Sequence, residues 1–245
     1  MENMRERLRN NDTIRRLYYR MKMLRPLAQS NEAAIIDELA ASAPRTFVEF
    51  GFHPIEFNCI SLAKRADWHG LLVDGSPRQV ADARALYPAN RIEIVDKFLT
   101  LENLDFIKSQ FARIGVLSID VDGNDYWFLK ELILQQPSVV CVEYNSSFGL
   151  EPITVPYDPF FDRFEKHPSG WYHGASLTAL AKLCASHGYG LAAVSNNGVN
   201  AFFTATGKLD PAKAWKPNSF REQHSGVSHD GQWEAVKGLP FVRVP

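Results

Sequence analysis

The chain is short of several things. It holds three cysteines in 245 residues, Cys59, Cys141 and Cys184, and a set this sparse, odd and widely spaced excludes a disulfide framework. Cys59 and Cys141 lie in apolar runs and read as buried free thiols, which suits a reducing, cytoplasmic setting. No charge of either sign is in excess. The 27 Lys and Arg against 28 Asp and Glu leave a formal net charge of −1, which argues against a dedicated nucleic-acid binder. No run reaches the ~18 apolar residues needed to cross a bilayer, so no transmembrane segment is expected. The N-terminus lacks the apolar stretch of a secretory signal. Glycine and proline number 15 and 14, close to average usage, so collagen-like and low-complexity chains are excluded. What is present is material for a core: 45% of the residues are apolar and 12% aromatic, enough for one large domain or two small ones.

The balanced charge is unevenly spread. Residues 1–26 carry eight basic groups (Arg5, Arg7, Arg9, Arg15, Arg16, Arg20, Lys22, Arg25) and three acidic ones (Glu2, Glu6, Asp12), a surplus of +5 that leaves −6 for the rest. Ile14, Leu17, Tyr18, Met21 and Leu24 recur there at helical spacing, with Asn11 or Asp12 as N-cap and Pro26 as the stop. The expectation is a helix whose apolar stripe packs on the domain or on a second subunit, giving a homo-oligomer. The alternative is a basic surface for anionic lipid or an anionic polymer.

Downstream, strands and helices alternate. Strands are expected at 46–51, 70–74, 91–95, 116–120 and 138–143. Helices are expected at 31–41, 55–66, 77–86, 101–112 and 124–135. Continuous apolar strands between helices mark a parallel sheet covered on both faces. Residues 145–174, rich in proline and aromatics, read as a long ordered loop. A helix at 175–187 ends at Gly188, and strands at 190–195 and 200–205 flank the Asn197-Gly198 hairpin signal. Residues 207–245 show little periodicity and read as a tail over the surface. The fold class is therefore α/β, a Rossmann-like doubly wound sheet, mostly parallel with a C-terminal antiparallel hairpin. The chain divides into a helical segment at 1–44, a main domain at 45–206 with its loop at 145–174, and the tail.

Ligands of such sheets bind at the carboxyl ends of the strands. Those ends carry Glu49-Phe-Gly51, Asp74-Gly75-Ser76, Asp96 with Phe98 and Leu99 just beyond, Asp120-Val-Asp122-Gly-Asn124-Asp125, and Glu143-Tyr-Asn145. Carboxylates at nearly every edge are costly unless partnered and point to a polar ligand. An acid ending the second strand suits the two hydroxyls of a ribose. Gly51 lets backbone approach a ligand closely, but Phe52-His53-Pro54 follows in place of Gly-x-Gly-x-x-Gly. A pyrophosphate would lack its cradle, so a nucleoside without phosphates fits better.

Phe47-Val-Glu-Phe-Gly51, Gly70-Leu-Leu-Val-Asp74-Gly-Ser76 and Leu117-Ser-Ile-Asp120-Val-Asp-Gly-Asn-Asp-Tyr126 resemble the class I S-adenosylmethionine-dependent methyltransferases, and within them the FkbM-like group, over roughly residues 45–205. The resemblance implies transfer of a methyl group to a hydroxyl of a sugar, polyketide or other natural-product small molecule. It places Glu49, Gly51 and Phe52 near the methionine part of the cofactor, Asp74 with Gly75 and Ser76 at the ribose, Phe98 and Leu99 at the adenine, and Asp120 beside the methyl. Removal of the hydroxyl proton would fall to His173 or Asp122. The other route is a divalent cation such as Mg²⁺ held by oxygen ligands from Asp120, Asp122, Glu143 and Asn145. The loop at 145–174, with the N-terminal helix, is expected to form the acceptor cleft, and its Phe148, Tyr157, Phe160, Phe161, Trp171 and Tyr172 either fill the core of a lid or line a platform for a sugar. Asp120-Val-Asp122-Gly123 also resembles the nucleophile motif of haloacid-dehalogenase phosphohydrolases, and the altered turn after Gly51 leaves open a non-catalytic assembly subunit.

Overall fold

The computed structural model describes residues 11–24 and 30–245. Its centre is a seven-stranded sheet built from β1 (Thr46–Phe50), β2 (His69–Asp74), β3 (Ile92–Asp96), β4 (Val116–Ile119), β5 (Val139–Glu143), β7 (Gly190–Val194) and β8 (Asn200–Thr204). A short β6 (Ile153–Thr154) lies between β5 and β7 in the chain. The spatial order is β3-β2-β1-β4-β5-β8-β7. Pairings are parallel from β3 across to β5, and β8 runs antiparallel to both β5 and β7. This is the expected Rossmann-like sheet with its closing hairpin. The order reverses between β1 and β4, and there the loops leaving the two strands diverge to opposite faces and open a crevice.

Alternation along each strand sends side chains to two faces. Val48 and Phe50 of β1 join the cluster under α5 (Asp105–Lys108), α6 (Asp125–Leu132) and α8 (Leu177–Ser186). Phe47 faces the cluster formed with α2 (Glu32–Leu39), α3 (Ile60–Lys64) and α4 (Pro77–Arg84). All three cysteines are buried and free. Ser76 caps α4 with Pro77 in its first turn, and Ser176 caps α8. These caps satisfy N–H groups that a helix start leaves without partners.

The strands lie close to their sequence-based ranges, but three other expectations need correction. The helix expected at 55–66 is reduced to α3, because the chain at 52–59 is drawn into irregular turns around the Glu49 carboxylate. The helix expected at 101–112 is a 3-10 turn, Leu101–Asn103, followed by the single turn of α5. The tail at 207–245 is ordered and folded, with α9 (Pro211–Ala214), α10 (Ser219–Ser225), α11 (His229–Val236) and β9 (Val242–Arg243). β9 pairs antiparallel with β6. Phe148, Ile153, Val155, Tyr172 and Val236 form a third, smaller apolar cluster beneath the tail.

The N-terminal helix, α1 (Asp12–Lys22), is capped by Asn11, whose side chain accepts a hydrogen bond from the Ile14 N–H at 3.1 Å. Its orientation overturns the expectation that the apolar stripe packs on the domain. The buried residue is Arg15, which bonds Asp82 of α4 through Nε at 2.5 Å and Nη2 at 3.0 Å. Arg16 also reaches Asp82, and Arg20 reaches the Ala85 carbonyl. Ile14, Leu17, Tyr18, Met21 and Leu24 face outward. The part of the basic segment at residues 1–10 and 25–29 lies outside the described residues. Among the described residues no helix is long and apolar enough to cross a membrane.

Candidate functional site

A cleft of about 1480 Å³ runs along the carboxyl ends of β1 to β5. Gly51, Phe52, Asp74, Gly75, Ser76, Phe98, Leu99, Asp120, Asp122 and Glu143 all line it. Ten of the expected site residues therefore come together, and Glu49, Asn145 and His173 stand behind its wall.

Gly51 sits at the crevice floor with φ +68°, and a Cβ there would lie 1.5 Å from the Asp120 carbonyl oxygen. Only glycine allows the β1 and β4 exits to pass this closely. Beneath it the buried Glu49 accepts from the backbone N–H groups of Asn58 and Cys59, both at 2.8 Å. Glu49 thus holds the turn at 52–59 that replaces a glycine-rich loop. Asp74 accepts from the Ser76 N–H at 2.7 Å, and the Phe52 backbone also donates to it. Its carboxylate ties the β2 exit to the β1 exit at the cleft wall. Partial burial raises its pKa.

The acidic loop after β4 is organised by Asp125 at the start of α6. Its two oxygens accept from the Val121 and Gly123 N–H groups at 2.9 and 3.0 Å. Asp122, at φ +55°, projects outward and pairs with Arg163 of α7 (Arg163–Lys166). Burial and mutual repulsion push the pKa values of this cluster upward. Asp120 is raised well above the carboxylate range, Asp125 to about 6 and Glu143 to about 8, and Glu49 is raised by burial to about 7.

Asn145 and His173 correct the sequence reading. The Asn145 amide donates to the Trp171 and His173 carbonyls at 2.7 and 2.8 Å, and its oxygen accepts from the Ser147 N–H at 3.0 Å. It is fully occupied in holding the loop at 145–174 and offers no ligand atom to the cleft. His173 is buried, and its Nε2 accepts from Arg221 Nη2 at 2.8 Å. A guanidinium can only donate, so the imidazole carries its proton on Nδ1. That atom faces Glu143 Oε2 at 3.7 Å, and neither has a hydrogen-bond partner. Burial and the nearby Arg163 and Arg221 hold His173 well below its usual pKa.

Arg221 is the site residue that sequence reasoning missed. It sits in the first turn of α10, whose N-cap Asn218 accepts from the Arg221 N–H at 2.9 Å. The Asn218 N–H donates to Ser146 Oγ at 2.8 Å, and Tyr144 donates to the Lys216 carbonyl at 2.7 Å. These bonds clamp the tail to the exit of β5. Nη1 of Arg221 then donates to Asn145 Oδ1 and Ser147 Oγ at 2.8 and 2.9 Å. Burial pulls its pKa down to about 10. The only sequence signal was the Asn218-Ser-Phe-Arg221 capping pattern, which says nothing of where the helix docks.

Of the cation set expected from sequence, Asp120, Asp122 and Glu143 come together at the cleft and Asn145 does not. Asn145 is turned away, and Asp122 is paired with Arg163. Ligand atoms of Asp122, Glu143 and His173, and likewise those of Asp120, Asp125 and Glu143, lie within 4.8 Å of one another. The Arg163 and Arg221 guanidiniums, however, already supply positive charge to Glu143 and would repel a dication.

The proton-rich cluster makes stability depend on pH. Glu49 and Glu143 titrate near 4.5 when unfolded and at about 7 and 8 when folded. The folded chain binds more protons between those values, so this stabilisation is complete at low pH and is lost as pH rises through the folded values. The ligand-free protein should melt at a lower temperature at pH 8.5 than at pH 6.5. The loss is on the order of 1 kcal/mol per pH unit for each retained proton. Differential scanning fluorimetry across that range measures it, and a flat profile would contradict the buried cluster.

The sequence matches no family model and no curated protein. Solved structures with a similar chain path include a Klebsiella pneumoniae protein assigned as an O-methyltransferase (13% identity, 79% of this chain and 88% of that chain, TM-score 0.49). Another is the methyltransferase domain of bacterial CtHen1-C (16% identity, 74% and 98%, TM-score 0.48). A third is the N-terminal domain of EvdMO1 in the presence of SAH and D-fucose (14% identity, 77% and 94%, TM-score 0.45).

Proposed function

We propose that the chain is an S-adenosylmethionine-dependent methyltransferase acting on a hydroxyl of a sugar-containing or other natural-product small molecule. One observation carries the reading. A single cleft runs from the Asp74 carboxylate, past the close backbone approach at Gly51, to the half-buried carboxyl of Asp120 and the buried carboxyl of Glu143. Asp74 offers acceptors to a pair of ribose hydroxyls. The buried acids favour a ligand that brings positive charge, since a cation beside them replaces the protons they otherwise retain. No glycine cradle is present for phosphates. Phe98, exposed at the rim, and Leu99 beneath it offer an apolar wall for a base.

When bound, S-adenosylmethionine supplies an electrophilic methyl group. Our assignment for the base is Glu143. It lines the cleft, and its pKa of about 8 lies near a working pH, where proton transfer is most effective. His173 and Arg221 are positioning residues in this scheme: Arg221 fixes the imidazole tautomer, and the Nδ1–H faces Glu143. Asp122 and His173 are weaker candidates for the base, because Asp122 is paired and the Nε2 lone pair of His173 is already engaged.

Titration calorimetry with S-adenosylhomocysteine tests the reading. We expect one saturable site, with affinity unchanged after dialysis against EDTA. No heat of binding at millimolar ligand would remove the methyltransferase assignment. Binding that vanishes with EDTA and returns with Mg²⁺ would remove only the metal-free part.

A further inference from the structure

The outward face of α1 is not used by the fold or by the cleft. Leu17 and Met21 are 59% and 63% exposed, whereas Arg15 on the opposite side is 5% exposed. An amphipathic helix normally buries its apolar stripe. Here the helix is bolted down by its polar face, through Arg15 and Arg16 on Asp82, while Tyr19 sets its ring edge-on to His53. The described domain leaves Leu17, Met21 and Leu24 largely exposed, with Ile14 and Tyr18 partly exposed beside them.

We propose that α1 docks the protein on an anionic lipid surface, with this stripe entering the headgroup boundary. The argument is charge complementarity. Arg20 and Lys22 flank the stripe, and Arg5, Arg7, Arg9 and Arg25 lie close to it in sequence. The first 26 residues carry +5 while the remainder of the chain carries −6. An anionic surface attracts this segment and repels the body, which fixes the orientation of approach. A second copy of the chain is the poorer occupant, because pairing two such helices would bring like-charged flanks together. Three turns of helix also fall short of the roughly 1,000 Å² that a stable interface needs. His53 lines the cleft, so docking through α1 holds the cleft mouth next to the lipid surface.

The test uses the full chain and two kinds of vesicle, phosphatidylcholine alone and phosphatidylcholine with phosphatidylglycerol. Co-sedimentation is expected only with the anionic vesicles and should weaken at high salt. A Leu17→Asp, Met21→Asp double variant should bind them more weakly by on the order of tenfold or more. Both side chains are exposed, so the variant should keep the wild-type melting temperature and affinity for S-adenosylhomocysteine. Failure of the wild type to sediment with anionic vesicles, or undiminished binding by a folded double variant, overturns the proposal. So does a concentration-dependent dimer that the same substitutions dissolve while vesicles have no effect.

Discussion

Replacing Asp74 by alanine is expected to weaken S-adenosylhomocysteine binding on the order of 100-fold. A hydrogen bond to a charged acceptor is worth about 1.5–3 kcal/mol, so losing two ribose contacts costs about 3 kcal/mol or more. Asp74 also receives N–H groups from Ser76 and Phe52, so alanine loosens the turn that forms the cleft wall. Asp74→Asn separates the two effects. It keeps an oxygen for the Ser76 N–H but loses the charge, and its affinity should fall between wild type and alanine. Calorimetry on all three proteins decides the matter. An alanine variant that binds as tightly as wild type would show that the ribose lies elsewhere.

The second large effect is expected from Glu143→Gln. If Glu143 takes the acceptor proton, the turnover rate should fall by about 10²- to 10⁴-fold, with S-adenosylhomocysteine affinity retained. A second readout needs no acceptor. Glu143 is held at about 8 by burial, so glutamine removes one group whose ionisation costs stability. The variant should match wild type near pH 4.5, melt higher than wild type at pH 6.5, and exceed it by a wider margin at pH 8.5. A variant with an undiminished rate would shift the base to Asp122 or to a bound cation.

The sheet and much of the cleft were legible in the sequence for different reasons. Val48, Phe50, Leu71, Val73, Leu117 and Ile119 lie in short apolar runs bounded by turn residues, and such runs mark buried parallel strands. Strand ends in a parallel sheet converge by topology, so Gly51, Asp74, Asp120 and Glu143 could be placed at one edge before any coordinates. Direction and depth were not legible. The sequence gives the spacing of the apolar residues of α1 but not which face the domain takes. That choice was made by Asp82, 67 residues after Arg15, a pairing that local periodicity cannot reveal. Asn145 and His173 carry the right chemistry for a ligand and a base, yet the Asn145 amide is spent on the loop and the His173 Nε2 on Arg221. Arg221 follows β5 by more than 70 residues and reaches its exit only because Asn218, Tyr144 and Ser146 tie the tail there. Long-range hydrogen bonds of this kind leave no periodic trace.

The two walls of the cleft are secured in different ways. One is cut from hydrogen-bonded strand exits over the main core. The other is assembled from coil, α7 and α10, held by the small cluster around Phe148, Tyr172 and Val236 and by the hydrogen bonds that clamp α10 to the exit of β5. Changes at Phe161, Trp171 or Phe220 therefore disturb little of the sheet's packing. A lineage carrying this scaffold can retailor one rim of its cavity while the opposite rim, and the turn at Gly51, stay under strict steric constraint.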